Sequence, residues 1–200
     1  MESFVEVDYA ETTAALTLIR AFTADELLAS RLKAVLAERR QPMPSWLGGL
    51  DGVEISRVME LTHVLGDGDD YFLEARLPSG ETLTALVYVD HNLGTVVKDA
   101  FVIPEDLDSV TALVERTSTD PDQVLNDTDP ALARTIVTEA IEHGARMFPP
   151  LESDTWPGCR PLVEWLLRKL PAGGALPERP DWSDDELAAL RAHFFVSQYG

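Results

Sequence analysis

At 200 residues, 45% hydrophobic and 26% charged, the chain has the composition of one globular domain rather than of a disordered segment. A net charge of −19 repels phosphate backbones and anionic headgroups at long range, which argues against direct nucleic-acid binding and against docking on a membrane. A single cysteine, Cys159, excludes an internal disulfide and any cysteine-rich zinc site.

Lys33, Lys98 and Lys169 are the only lysines among sixteen basic residues, the usage of a GC-rich bacterial genome or of a salt-adapted cytosol. Residues 1–6 show neither the positive n-region nor the apolar h-region of a signal peptide. No apolar run approaches the ~20 residues needed to span a bilayer. A cytoplasmic location is expected.

Thr12 to Phe22 places Ala14, Ala15, Leu18, Ile19 and Phe22 at helical spacing. Thr23-Ala24-Asp25-Glu26 reads as a capping box, with Thr23 as cap, opening a helix to about Arg40. Lys33, Arg39 and Arg40 then sit toward its negative end. Gln41-Pro42-Met43-Pro44 stops it, and the Trp46 to Gly52 loop is the best candidate hinge. Helical residues 1–44 thus precede a sheet over about 53–104.

Val53 to Leu65 alternates, with Val53, Ile55, Met59 and Leu61 sharing a parity that Arg57 breaks. Tyr71 to Leu77, Thr82 to Asp90 and Thr95 to Ile103 supply three more strands. Pro78-Ser79-Gly80-Glu81 and His91-Asn92-Leu93-Gly94 are the turns between them. Residues 106–170 follow as covering helices: Asp106 to Thr117, a helix opened by Asp129-Pro130 and running to about Arg146, and Pro161 to Leu170. Residues 171–182 read as a linker, and Ser183-Asp184-Asp185-Glu186 caps a last helix over 183–200 ending in His193, Phe194 and Phe195. Helices, then strands, then helices argue for an α+β fold. The expected architecture is a four-stranded antiparallel meander over about 53–103. The Pro130 helix and its neighbours cover one face, and the terminal helices pack around it.

The strongest constellation is the 90–99 hairpin, which gathers Asp90, His91, Asn92, Lys98 and Asp99. A carboxylate beside His91 would set its tautomer for general-base work. The bland alternative is a polar hairpin tip with the Asn and Gly that a tight turn demands. Asp90, His91, Lys98 and Asp99 are the catalytic candidates. Glu74, Asp90 and Lys98 can also be laid on the scheme of the PD-(D/E)xK nucleases. The resemblance fails where that scheme is tightest, because position 96 is valine and removes a magnesium ligand.

Trp156, Cys159 and Arg160 are candidate binding residues: the thiol precedes a helix whose positive end, with Arg160, would lower its pKa. Trp46, Trp156, Trp165 and Trp182 suit either pocket rims or anchors that pin loops to the core. His63, His91, His143 and His193 show no metal-ligand spacing. The acidic stretches 67–70 and 120–129 fit no EF-hand loop. No phosphate loop, cofactor motif or Gly-x-Ser-x-Gly elbow is present. No metal and no cofactor is expected. A non-catalytic, acidic cytosolic module that binds a protein partner or itself is the first functional expectation. The alternative is a small hydrolase-like or metal-assisted enzyme centred on the Asp90-His91/Lys98-Asp99 hairpin. The two differ in whether His91 meets a carboxylate inside a concave pocket or stands in water.

Overall fold

Strands β1 (Glu54–His63), β2 (Gly68–Arg76), β3 (Thr82–Asp90) and β4 (Val96–Ile103) form an antiparallel meander. β5 (Gln123–Asp127) returns to pair with β1, giving the order β4-β3-β2-β1-β5. The fold comes from a computed structural model and is described for residues 2–118, 120–150 and 153–176. It is α+β as expected, with five strands rather than four. Sequence alternation misses β5 because Gln123, Asn126 and Asp127 are polar and only Leu125 packs inward.

Four α-helices, α1 (Glu2–Glu6), α2 (Ala10–Phe22), α3 (Glu26–Glu38) and α4 (Ser45–Gly48), and a 3-10 turn at Leu50–Gly52 precede the sheet. α5 (Leu107–Thr117) joins β4 to β5, and α6 (Pro130–Gly144) and α7 (Trp156–Leu167) follow. The period-two pleat of β2 divides the apolar residues between two faces. Tyr71, Leu73 and Ala75 enter the main core with Val87, Val97, Val137 of α6 and Val163 of α7. Phe72 points the other way and joins Met59 beneath Leu107 and Val110 of α5. The expectation of one covered face is therefore corrected. Phe72 is fully buried, and removing such a ring from water is worth about 2–3 kcal/mol, enough to hold α5 on the second face.

The parity expected for β1 breaks for a different reason from the one foreseen. Ile55 pairs with Ala75 and Arg57 with Glu74, so Ser56 is an extra residue in a β-bulge. Ile55 consequently packs with the main core, whereas Met59 and Leu61 face α5.

Two helix ends also differ. Asp25 caps α3, accepting from the N–H groups of Leu27 and Leu28 at 2.9 and 3.1 Å, while Thr23 accepts only from the Asp25 N–H. α3 stops at Glu38 because Arg39 turns away to donate to the Phe4 and Val5 carbonyls at 2.8 and 2.9 Å. Arg39 thereby satisfies the last carbonyls of α1 rather than those of its own helix.

α7 begins at Trp156, not Pro161, which lies inside it. The start of the expected linker, 171–174, is tied to α6: Arg134 Nη1 donates to the carbonyl of Leu170 just before it at 2.6 Å and Thr135 Oγ1 to that of Gly174 at 3.0 Å. A Cβ on Gly174 would stand 2.2 Å from the Ala131 carbonyl oxygen, so only glycine lets the chain pass this close. The helix expected over 183–200, with Trp182, His193, Phe194 and Phe195, lies outside the described residues. No described helix is long and apolar enough to cross a membrane.

Candidate functional site

The hairpin of β3 and β4 does not close with a two-residue turn. His91 to Thr95 loop out, with Gly94 and Thr95 at φ of 94° and 62°. The ladder is broken by a bulge as well: Tyr88 faces Asp99 and Val89 faces Val97, so Lys98 is the extra residue. Opposite them the Tyr88 ring lies over Gly68, where an added Cβ would meet the phenol oxygen at 2.5 Å. Glycine at 68 is what lets the ring cross the strand.

These distortions send the four catalytic candidates in three directions. Asp90 is buried, accepts from the Leu93 N–H at 2.9 Å and pairs with Lys98 Nζ at 3.3 Å, so both serve the turn. Asp99 accepts from Ser153 Oγ at 2.6 Å, from Thr155 Oγ1 and from the Ala100 N–H at 2.8 Å, anchoring the start of α7. Burial pushes the Asp99 carboxyl up, but these three bonds and the nearby Lys98 charge hold it below the ordinary aspartate range. His91 alone turns toward α6. Its Nε2 lies 2.7 Å from Asp69 Oδ2 and its Nδ1 lies 3.2 Å from Thr95 Oγ1. The expected grouping of His91 with Asp90 or Asp99 is corrected: bulge and register place Asp69 on β2 at the ring instead.

His91, Asp69 and Thr95 line a cleft of about 770 Å³ between the sheet and α6. Tyr71, Ile136 and Ala140 give it apolar surface, and Glu139, Glu142, His143 and Arg146 come from α6. Three carboxylates against one guanidinium leave the lining acidic. Burial and the charges of Asp69 and Glu60 raise the Tyr71 phenol above its ordinary pKa, so it stays a neutral donor. Burial likewise lifts Glu60, beside Tyr71 on β1, against the opposing hydrogen bond from Thr128. On the reverse face, burial and then the charge of Asp69 push the Asp70 carboxyl up to about 6.

Neither Asp69 nor Thr95 stands out in the sequence, because Asp69 lies in the turn-like 66–70 stretch and Thr95 is expected as the first residue of a strand. The usable signal was register. Counted from the Pro78 to Glu81 turn, Asp69 pairs with Val89, two residues before His91. Same-face residues two apart on neighbouring strands are diagonal neighbours within reach of long side chains.

The binding candidates lie elsewhere. Trp156 is buried and, with Arg160, lines a separate cavity of about 220 Å³. Arg160 Nε bonds Glu164 Oε1 at 2.8 Å, one helical turn on. Cys159 packs against the main core, where burial and Asp99 push its thiol pKa up, opposite to the expected activation. Trp165 is also core, against Phe22, with Lys169 over its ring, whereas Trp46 is exposed.

His63, Asp120 and Asp122 bring one ligand atom each within 4.8 Å of one another. The Leu65 N–H donates to His63 Nδ1 at 3.1 Å, which places the ring proton on Nε2, 3.2 Å from Asp120 Oδ2. A metal on Nε2 requires the opposite tautomer. His63 and Asp120 thus already have partners, and Asp120 also accepts from the Asp122 N–H at 3.0 Å. The nuclease scheme fails on distance as well: Glu74 pairs with Thr84 and Asp90 with Gly68, six residues apart along the strands, or about 20 Å. Neither a family model, nor a curated protein, nor a solved structure matches the chain.

Proposed function

We propose that the protein is a binding module whose cleft under α6 takes a cationic segment of a partner protein. The observation that carries this reading is the cleft lining, apolar at Tyr71, Ile136 and Ala140 and acidic at Asp69, Glu139 and Glu142. Such a surface suits a lysine or arginine side chain, whose methylenes bury while its charge reaches carboxylates. The −19 charge adds long-range steering toward basic partners.

Titration with a short oligolysine peptide tests it. Reversing Glu139 and Glu142 to lysine should weaken binding at least about tenfold and flatten its salt dependence. The same double reversal at the exposed and distant Glu81 and Glu105 should cost far less. Equal losses from both pairs would mean that the acidic surface attracts the peptide without a site.

A second reading, a small hydrolase-like enzyme, is favoured by one observation. His91 stands 2.7 Å from a carboxylate inside a concave cleft, although the carboxylate is Asp69.

A further inference from the structure

This inference rests on the enzyme reading and deepens it. Asp69 Oδ2, the two nitrogens of His91 and Thr95 Oγ1 form a continuous chain with links of 2.7 and 3.2 Å. All three residues line the same cleft. From this geometry we infer that Thr95 is the nucleophile of an acyl-transfer site, with His91 as general base and Asp69 orienting the ring, acting on small neutral or cationic carboxylic esters.

A carboxylate, an imidazole and a hydroxyl in hydrogen-bonding sequence are the parts that activate a poor nucleophile. Here the ring is reversed relative to the serine proteases, with the carboxylate on Nε2 and the hydroxyl on Nδ1. With the ring proton on Nε2 toward Asp69, Nδ1 accepts from the Thr95 hydroxyl. Thr95 is the only described residue other than glycine at positive φ, and it is β-branched, the type least at ease there. Strain retained in a cleft, on the one residue whose side chain meets the base, fits a functional constraint.

In the reaction Thr95 Oγ1 attacks the ester carbonyl carbon as its proton passes to Nδ1. The tetrahedral centre collapses, the alcohol oxygen leaves, and it takes the proton back from His91. Water then attacks the acyl-threonine by the same route, releasing the carboxylic acid and restoring the hydroxyl. The Asp69 carboxylate stabilises the imidazolium between the two transfers. Arg146, which lines the same cleft and pairs with Glu142 at 3.4 Å, is a cation within the cleft for the developing oxyanion. His143 adjoins the turn, its Cε1 3.7 Å from where a Cβ on Gly94 would stand. Glu139 and Glu142 disfavour anionic acyl groups.

The full chain is assayed with p-nitrophenyl acetate, and the peptide carrying residue 95 is examined by mass spectrometry for a trapped acetyl group. The parent should turn over the ester and show acetyl on Thr95, with Thr95→Ser retaining activity. Thr95→Gly and His91→Ala should each lose about a hundredfold or more. Thr95→Gly suits the positive φ, so its loss cannot be assigned to unfolding. A parent with neither turnover nor acetylated Thr95 overturns the inference. If His91→Ala is inactive but Thr95→Gly keeps full rate without acetylation, Thr95 is not the nucleophile and the enzyme reading alone survives. If His91→Ala keeps full rate, both fall.

Discussion

The Glu74 carboxylate on β2 holds the first N–H of α5: its Oε2 accepts from Leu107 at 2.8 Å across the reverse face of the sheet. Its other oxygen accepts from Ser56 Oγ in the β1 bulge, and the side chain is buried. A carboxylate that resembled a nuclease acid is thus a tertiary helix cap, joining bulge, strand and helix. Asp106 caps the same helix from the loop, accepting from the Ser109 N–H at 2.7 Å.

Glu74→Ala should destabilise the protein by about 2–4 kcal/mol, combining the loss of a cap with an unsatisfied buried N–H. Glu74→Gln keeps an acceptor and should cost roughly half as much. Urea unfolding of both variants measures the difference. Equal, small losses would show that Asp106 alone suffices.

Asp70 should make the protein less stable as pH rises. Its carboxyl pKa is near 3.8 unfolded and about 6 in the fold, so between those values the folded state binds the extra proton. Its contribution is therefore greatest in acid and is lost as pH climbs through about 6. Asp70→Asn should remove this dependence and gain about 1–2 kcal/mol at neutral pH, after allowance for partial solvent screening. Denaturation midpoints of parent and variant at pH 4 and pH 7.5 provide the comparison, with the gain confined to the higher pH.

Thr95→Gly should raise stability by about 0.5–1 kcal/mol. Relief of a β-branched residue at φ 62° outweighs the added freedom of the unfolded chain and the lost bond to His91. A Tm below that of the parent would mean that the His91 contact holds the turn together and that little strain resides there.

Arg39 is nearly inaccessible, its side chain 5% exposed. Besides the α1 carbonyls, it donates to Thr12 and Thr13 Oγ1, each at 3.0 Å. Arg39→Ala should cost about 2–4 kcal/mol and release α1, because charge-assisted bonds to partly buried acceptors are among the stronger kind. Lysine should recover only a minor part, since one ammonium cannot span the guanidinium's separated acceptors. Hydrogen exchange should show lost protection near residues 4–13 while the β2 and β3 amides stay slow.

Gly68→Ala should cost about 1–3 kcal/mol by forcing the Tyr88 ring off the strand. Fluorescence-detected unfolding of Gly68→Ala alone and with Tyr88→Ala separates the clash from a backbone effect. The double variant should show less than the sum of the single losses.

Much of the fold is written locally. Alternation from Tyr71 to Leu77 and from Thr82 to Asp90 identifies β2 and β3, and Asp129-Pro130 marks the start of α6 within a residue. These signals are legible because pleat period and caps depend on neighbours a few positions away. The 90–99 hairpin was legible as a polar cluster, and His91 does reach the cleft under α6.

What only tertiary structure decided is which of those polar groups meet. Bulges at Ser56 and Lys98 shift the parity of β1 and β4, and one extra residue reverses every side chain beyond it. Asp90 and Asp99, adjacent to or near His91 in sequence, are thereby committed to Lys98 and to Ser153. Asp69, twenty-two positions away, is brought to the ring. The same distinction separates Phe72 from Tyr71. The alternation assigns them to opposite faces, but only the packing of α5 makes the second face a core. Local chemistry determined most of the strands and helices of this protein. Register, summed over strands joined at a distance, determined which side chains meet in its cleft.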